Sequence, residues 1–195
     1  LKYISFDGIG DLRGIEYLKP LLKAVKEHHF VSFSHQNFES GIVRQYQLMP
    51  YLLKEYLNRW YLIGKLERSD IFWTFGIDRI RDLKVEDKIF IPEEDKDPSA
   101  HFRDTIGLTY SVAEKQTIVL SFTPLQGKYV KALPFHHSQS ILEDTEEELK
   151  ISLCIIPNLE FRQRILMLGA SVKVIEPPWL ANEIKEALHA ALDRY

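Results

Sequence analysis

At Phe30 the spacing of apolar residues changes, and that change limits what the chain can fold into. Before it, Ile15, Leu18, Leu21, Leu22 and Val25 recur at helical spacing, with Pro20 placed for a first turn, which predicts a helix over 20–28. After it, Val31, Phe33 and His35 alternate with Ser32 and Ser34, and short β-rich runs follow at 42–49, 51–55, 60–66, 71–77 and 80–85. Turn residues separate these runs: Glu39-Ser40-Gly41, Asn58, Ser69-Asp70 and Asp78. One helix followed by about six closely spaced strands predicts a small barrel, closed or half-open.

A charged, proline-bearing stretch at 86–98, with Glu93-Glu94-Asp95-Lys96-Asp97 inside it, reads as linker material. Beyond it the pattern predicts a strand at 117–123, a helix at 124–133, strands at 138–143 and 149–156, a helix at 158–168, a strand at 171–176 and a helix at 178–194. Without the last helix the order is β-α-β-β-α-β, the split ferredoxin-like arrangement. The fold class expected is therefore α+β. Its organisation is a lead-in at 1–14 from a missing N-terminal domain, a barrel domain at 15–90, a linker at 91–111 and a second domain at 112–195.

Composition excludes several classes. No apolar run approaches the ~18 residues of a membrane helix, and the opening Leu1-Lys2-Tyr3-Ile4 lacks the pattern of a signal peptide, so a cytoplasmic location without membrane attachment is expected. The single cysteine, Cys154, sits in the apolar run 151–156 and reads as a small core residue. The seven histidines show neither His-Glu-x-x-His nor paired-cysteine spacing, which argues against a metal or other cofactor. The net charge is −3, and it is uneven: residues 1–90 hold 14 basic against 12 acidic side chains, residues 91–195 hold 11 against 16. A duplex-binding surface normally carries a clear positive excess, so this chain is expected to bind duplex DNA poorly while leaving room for a local basic pocket.

Such a pocket has candidates around Arg59-Trp60-Tyr61-Leu62-Ile63-Gly64. Alternation along a strand puts Arg59 and Tyr61 on one face and Trp60 and Leu62 on the other, so one face can pack inward while the other pairs a guanidinium with a phenol ring. Together with Arg44-Gln45-Tyr46 through Pro50-Tyr51 upstream and Phe72-Trp73-Thr74-Phe75-Gly76-Ile77-Asp78-Arg79-Ile80 downstream, the stretch resembles the WYL domain of bacterial transcriptional regulators. His101-Phe102-Arg103-Asp104-Thr105-Ile106-Gly107, Pro134-Phe135-His136-His137-Ser138-Gln139 and Val174-Ile175-Glu176-Pro177 resemble the C-terminal extension of the same regulators.

The resemblance implies an SH3-like barrel followed by the extension. It also implies a missing winged helix-turn-helix that binds operator DNA, a homodimer, and an effector derived from nucleic acid: short single-stranded DNA or RNA, or a nucleotide. Arg44, Arg59 and Arg79 match its basic positions and are expected to pair with phosphates; Tyr61 is expected to stack on a base, with Tyr51, His35 and Trp73 nearby. His35 and Trp73 depart from the pattern, standing where tyrosine and arginine are usual. Arg162 and Arg164 are candidates for contact with a partner chain. His136 and Ser138 lack an acid orienter and a glycine elbow, so no catalytic residue is expected. A nucleotide-processing enzyme and a ligand-free oligomerisation module are the alternatives.

Overall fold

The computed structural model describes residues 13–38, 40–93, 97–111 and 113–195; most of the lead-in and the middle of the acidic stretch at 94–96 lie outside the described residues. The fold mixes α and β elements around two antiparallel sheets, in two compact units, Leu1–Ala100 and His101–Tyr195.

In the first unit a 3₁₀ turn at Ile15–Tyr17 leads into helix α1 (Leu18–Glu27), with Pro20 in its first turn as the spacing predicts. His28 closes the helix in a left-handed conformation. Strands β1 (His29–Gln36), β2 (Val43–Tyr56), β3 (Arg59–Lys65), β4 (Phe72–Gly76) and β5 (Ile80–Ile89) form one sheet in the order β4-β3-β2-β1-β5. Among the described residues no pairing of β4 with β5 closes it. The core beneath α1 joins Leu21, Ala24, Val31, Phe33, Leu48, Leu62, Phe75, Ile77 and Ile80.

Two boundaries differ from expectation. The runs at 42–49 and 51–55 are one strand: the pairing of β1 with β2 ends at Leu48, so Pro50 needs no amide on that side, and a bulge between Pro50 and Leu52 absorbs the irregularity. Strand β5 runs on through 86–89, part of the stretch read as linker, because His29 pairs with Ile89 and Ser32 Oγ donates to Glu86. Gly14, at φ +84, lies against Ile77, where a Cβ would come within 2.5 Å of the carbonyl oxygen.

A short helix α2 (Pro98–Arg103) spans the division between the units. The second unit runs β6 (Gln116–Phe122), α3 (Pro124–Ala132), β7 (Ser140–Asp144), β8 (Leu149–Ile155), α4 (Leu159–Leu168), β9 (Val172–Glu176) and α5 (Pro178–Leu192). Its sheet order is β7-β8-β6-β9. Asn158 caps α4, its Oδ1 accepting from Phe161 N at 3.0 Å while its Nδ2 donates to the Ile106 carbonyl at 2.7 Å. Ile118, Leu120, Phe122, Ile151, Leu153, Ile155, Phe161, Leu180 and Ile184 share one core. Cys154 is exposed rather than buried, since alternation along β8 sends Ile151, Leu153 and Ile155 inward and Ser152 and Cys154 outward. The edge strand β7 is exposed along its whole length and carries a register shift between Ile141 and Glu143. No helix among the described residues is long and apolar enough to cross a membrane.

Candidate functional site

The end of β4 and the 3₁₀ turn after it, Ile77–Arg79, assemble the site. Ile77 turns into the core, which fixes the direction of the next two side chains. Gly76 leaves room for them: a Cβ there would meet Asp78 Oδ1 at 2.6 Å and Arg79 Nη2 at 2.8 Å. Gly76, two residues before Asp78, is the sequence signal of this packing.

Asp78 stands between two guanidiniums. Its Oδ2 is 3.9 Å from Arg59 Nη1 and its Oδ1 is 3.8 Å from Arg79 Nε, so one carboxylate faces two cations at distances too long for good hydrogen bonds. Arg79 Nε is buried and has no hydrogen-bond partner among the described residues. The Arg79 guanidinium also lies 4.5 Å from the ring centroid of Phe38, an exposed residue the sequence did not single out.

His35 completes the cluster. It is 7% exposed, paired across the sheet with Arg44 on β2 and Ile80 on β5, and its ring meets Phe75 edge-on at 5.1 Å. One ring nitrogen bonds the backbone of Gly76 and Nε2 has no partner among the described residues. Burial first, and Arg79 second, push its pKa down to about 4, against the opposing pull of the Gly76 bond and Asp78. The ring is therefore neutral near pH 7.

The seven predicted ligand positions divide. Arg59, Arg79 and His35 come together around Asp78; Arg44 is the cross-strand neighbour of His35, and Tyr61 stands opposite Gly76 in the pairing of β3 with β4. Tyr51 lies elsewhere. At the β2 bulge its ring packs on Phe72 at 5.2 Å and Phe90 at 5.3 Å, in an aromatic cluster toward the other end of β3. Trp73 stacks on Phe75 at 6.3 Å and its indole donates to Ser69 Oγ at 3.3 Å, which puts one ring between it and His35. Two other acids of this unit are engaged elsewhere: Glu55 accepts from Asn58 N at 2.6 Å in the β2–β3 hairpin and Asp82 accepts from Ser34 Oγ at 3.1 Å.

In the second unit Arg162 pairs with Glu183 at 2.7 Å, and Arg164 lies 4.0 Å over the Phe135 ring, so both are engaged within their own unit. His136 Nδ1 is 2.8 Å from Ser138 Oγ and its Nε2 is 2.6 Å from the Arg103 carbonyl, while Ser138 Oγ donates to the Cys154 carbonyl and accepts from Cys154 N. These bonds tie the loop to β8. Two clefts of about 320 Å³ each, one beside Ser121, Glu148 and Lys173 and one beside Lys128, Lys131 and Asp144, include none of the predicted site residues. Among the described residues no group of His, Cys, Asp or Glu could hold a metal ion.

Comparison with known proteins gives two family matches, a WYL domain at residues 16–85 and a WCX domain at residues 114–192. No curated protein matches in sequence. Among solved structures the chain is similar to a CRISPR Cas-related protein, with a TM-score of 0.54, 14% identity, 93% of this chain covered and 52% of that one. It also matches the proteasome accessory factor B/C (PafBC) of Arthrobacter aurescens, with a TM-score of 0.38, 15% identity, 98% of this chain covered and 29% of that one. The chain thus spans about half the length of the first of these structures and under a third of the second. With a WYL domain at residues 16–85 followed by a WCX domain at residues 114–192, the chain belongs to the WYL-domain family.

Proposed function

We propose that this region senses a nucleic-acid-derived effector, a short single strand of DNA or RNA or a nucleotide, through the cluster of Arg59, Arg79 and His35 with Arg44 and Tyr61 at its margin. The observation that carries the reading is the single carboxylate of Asp78 shared by two guanidiniums, which among the described residues sets one anion against two cations beside a buried imidazole whose Nε2 has no partner there. Phosphate oxygens match guanidinium forks at closer range than Asp78 reaches them. On this reading Asp78 is a stand-in anion that a phosphate displaces.

Binding then acts as a signal and no covalent chemistry is involved. The ligand favours one arrangement of the dimeric regulator over another, because only differential affinity moves an equilibrium, and the shift reaches an N-terminal helix-turn-helix on operator DNA in the cytoplasm. We read the first sheet as an SH3-like barrel at 15–90 and the second unit as a ferredoxin-like domain at 112–195, joined through 91–111. Support for the first is its strand order with the long, bulged β2 serving both halves; support for the second is the order β7-β8-β6-β9 with helices at both crossovers.

The test is fluorescence anisotropy with a labelled single strand of about ten nucleotides. Binding is expected, with a log-log salt slope near about −2 for ~3 phosphate contacts, and Arg79→Ala is expected to weaken it by about ten-fold or more at an unchanged melting temperature. Absence of binding by the wild type would leave the ligand-free oligomerisation module, and turnover of a nucleotide would leave the enzyme.

A further inference from the structure

We propose that the Arg59–Arg79–His35 cluster selects a terminal phosphate monoester over the internucleotide diester, with His35 Nε2 accepting a hydrogen bond from the protonated phosphate oxygen. This rests on the reading that the cluster takes phosphate. It adds which phosphate.

The hydrogen-bond inventory of the imidazole makes the distinction. The bond to the Gly76 backbone favours the charged ring, so the backbone group is the carbonyl and the ring N–H donates to it. In the neutral ring the proton is then on Nδ1, and Nε2 presents a lone pair. That lone pair is buried and has no donor among the described residues. An unpaired buried acceptor is costly, and a ligand that donates to it recovers that cost.

The surroundings decide where the donated proton comes from. Facing the ring are Arg44 from β2, Ile80 from β5, the rings of Phe33, Tyr46 and Phe75, and Asp78 with Arg79 from the turn. Burial and the Arg79 guanidinium oppose protonation of the ring by solvent, against the weaker pull of the Gly76 bond and Asp78. The ligand has to supply both anionic oxygens, for Arg79 and Arg59, and the proton for Nε2. An internal diester is an anion without an ionisable proton at neutral pH. A phosphate monoester, with its second pKa near about 6, has a substantial monoanion population that carries one P–OH beside its anionic oxygens. No covalent bond changes; one proton is shared between the phosphate oxygen and Nε2. The monoester can belong to the end of a strand or to a mononucleotide.

The experiment compares one labelled single strand of about ten nucleotides in three forms: without terminal phosphate, with a 5′-phosphate, and with a 3′-phosphate. A nucleoside 5′-monophosphate serves as competitor. At about pH 6.5 at least one phosphorylated form is expected to bind about ten-fold more tightly than the unphosphorylated strand, and this preference should narrow at about pH 8.5, where the monoester has lost its last proton. His35→Phe, which keeps an aromatic ring against Phe75, should bring the three forms to within about two-fold of one another, with folding checked by its melting temperature. Competition by the mononucleotide identifies a free nucleotide as a sufficient source of the monoester; competition only by a phosphorylated strand identifies a strand end. Equal binding of all three forms by the wild type would overturn the selectivity and leave the effector reading intact. Binding of none would overturn both.

Discussion

His35 couples the stability of the first unit to pH. Its pKa in the folded chain is about 4 against 6.5 in the absence of the fold, so the unfolded chain takes up the proton first. The associated stability is complete above about pH 6.5 and is lost as the pH falls toward 4, on the order of 3 kcal/mol in all. Urea denaturation across that range should show the decline, and His35→Phe should flatten it. Burial also lowers the pKa of His101 and His136, so those two residues leave a residual slope of the same sign. Asp78 has the opposite leverage on ligand binding. If it is the stand-in anion of the proposed reading, Asp78→Asn should raise affinity for a phosphorylated strand by about five-fold, the scale of an exposed ion pair of about 1 kcal/mol, as measured by anisotropy. At this scale residue type alone pointed to Arg59 and Arg79, which do approach one carboxylate, although Arg79 does so from a 3₁₀ turn that strand alternation does not reach. Residue type was silent on Gly76 and Phe38, whose roles depend on close approach in space.

Elements were legible where one period persisted long enough to register. Helix α1, the β1 alternation and the whole order of the second unit follow from spacing alone. Pro50 and Tyr51 did not, because a bulge displaces alternation by one residue and sends Tyr51 to Phe72 and Phe90 instead of toward Arg59. The β2–β3 hairpin carries a locally strained choice. Its two turn residues, Leu57 and Asn58, both have positive φ, at 50° and 60°, which suits asparagine or glycine and disfavours leucine. Leu57 is also exposed and so gains little from burial. Leu57→Asn should therefore stabilise the chain by about 0.5–1 kcal/mol, seen as a higher denaturant midpoint at an unchanged slope.

For the whole molecule, charge bears on the kind of nucleic acid the proposed effector can be. A net charge of −3, with the basic residues only slightly in excess in 1–90, favours a few local phosphate contacts over a long backbone footprint. A duplex of the same sequence should therefore bind at least about ten-fold more weakly than the single strand in about 0.15 M salt, measured by competition anisotropy. The rim of the second sheet bears on a different property. An exposed strand end-on to solvent is a template for filament growth, and β7 offers Ile141 and Leu142 on such a margin. The shifted register after Ile141 breaks the straight ladder that an added chain would copy, and Glu143 and Asp144, tethered to Lys150 and Lys131, put charge where stacked copies would have to meet. That margin is shaped against runaway polymerisation, so the protein can keep a short solvent-facing strand without recruiting its own neighbours into fibres.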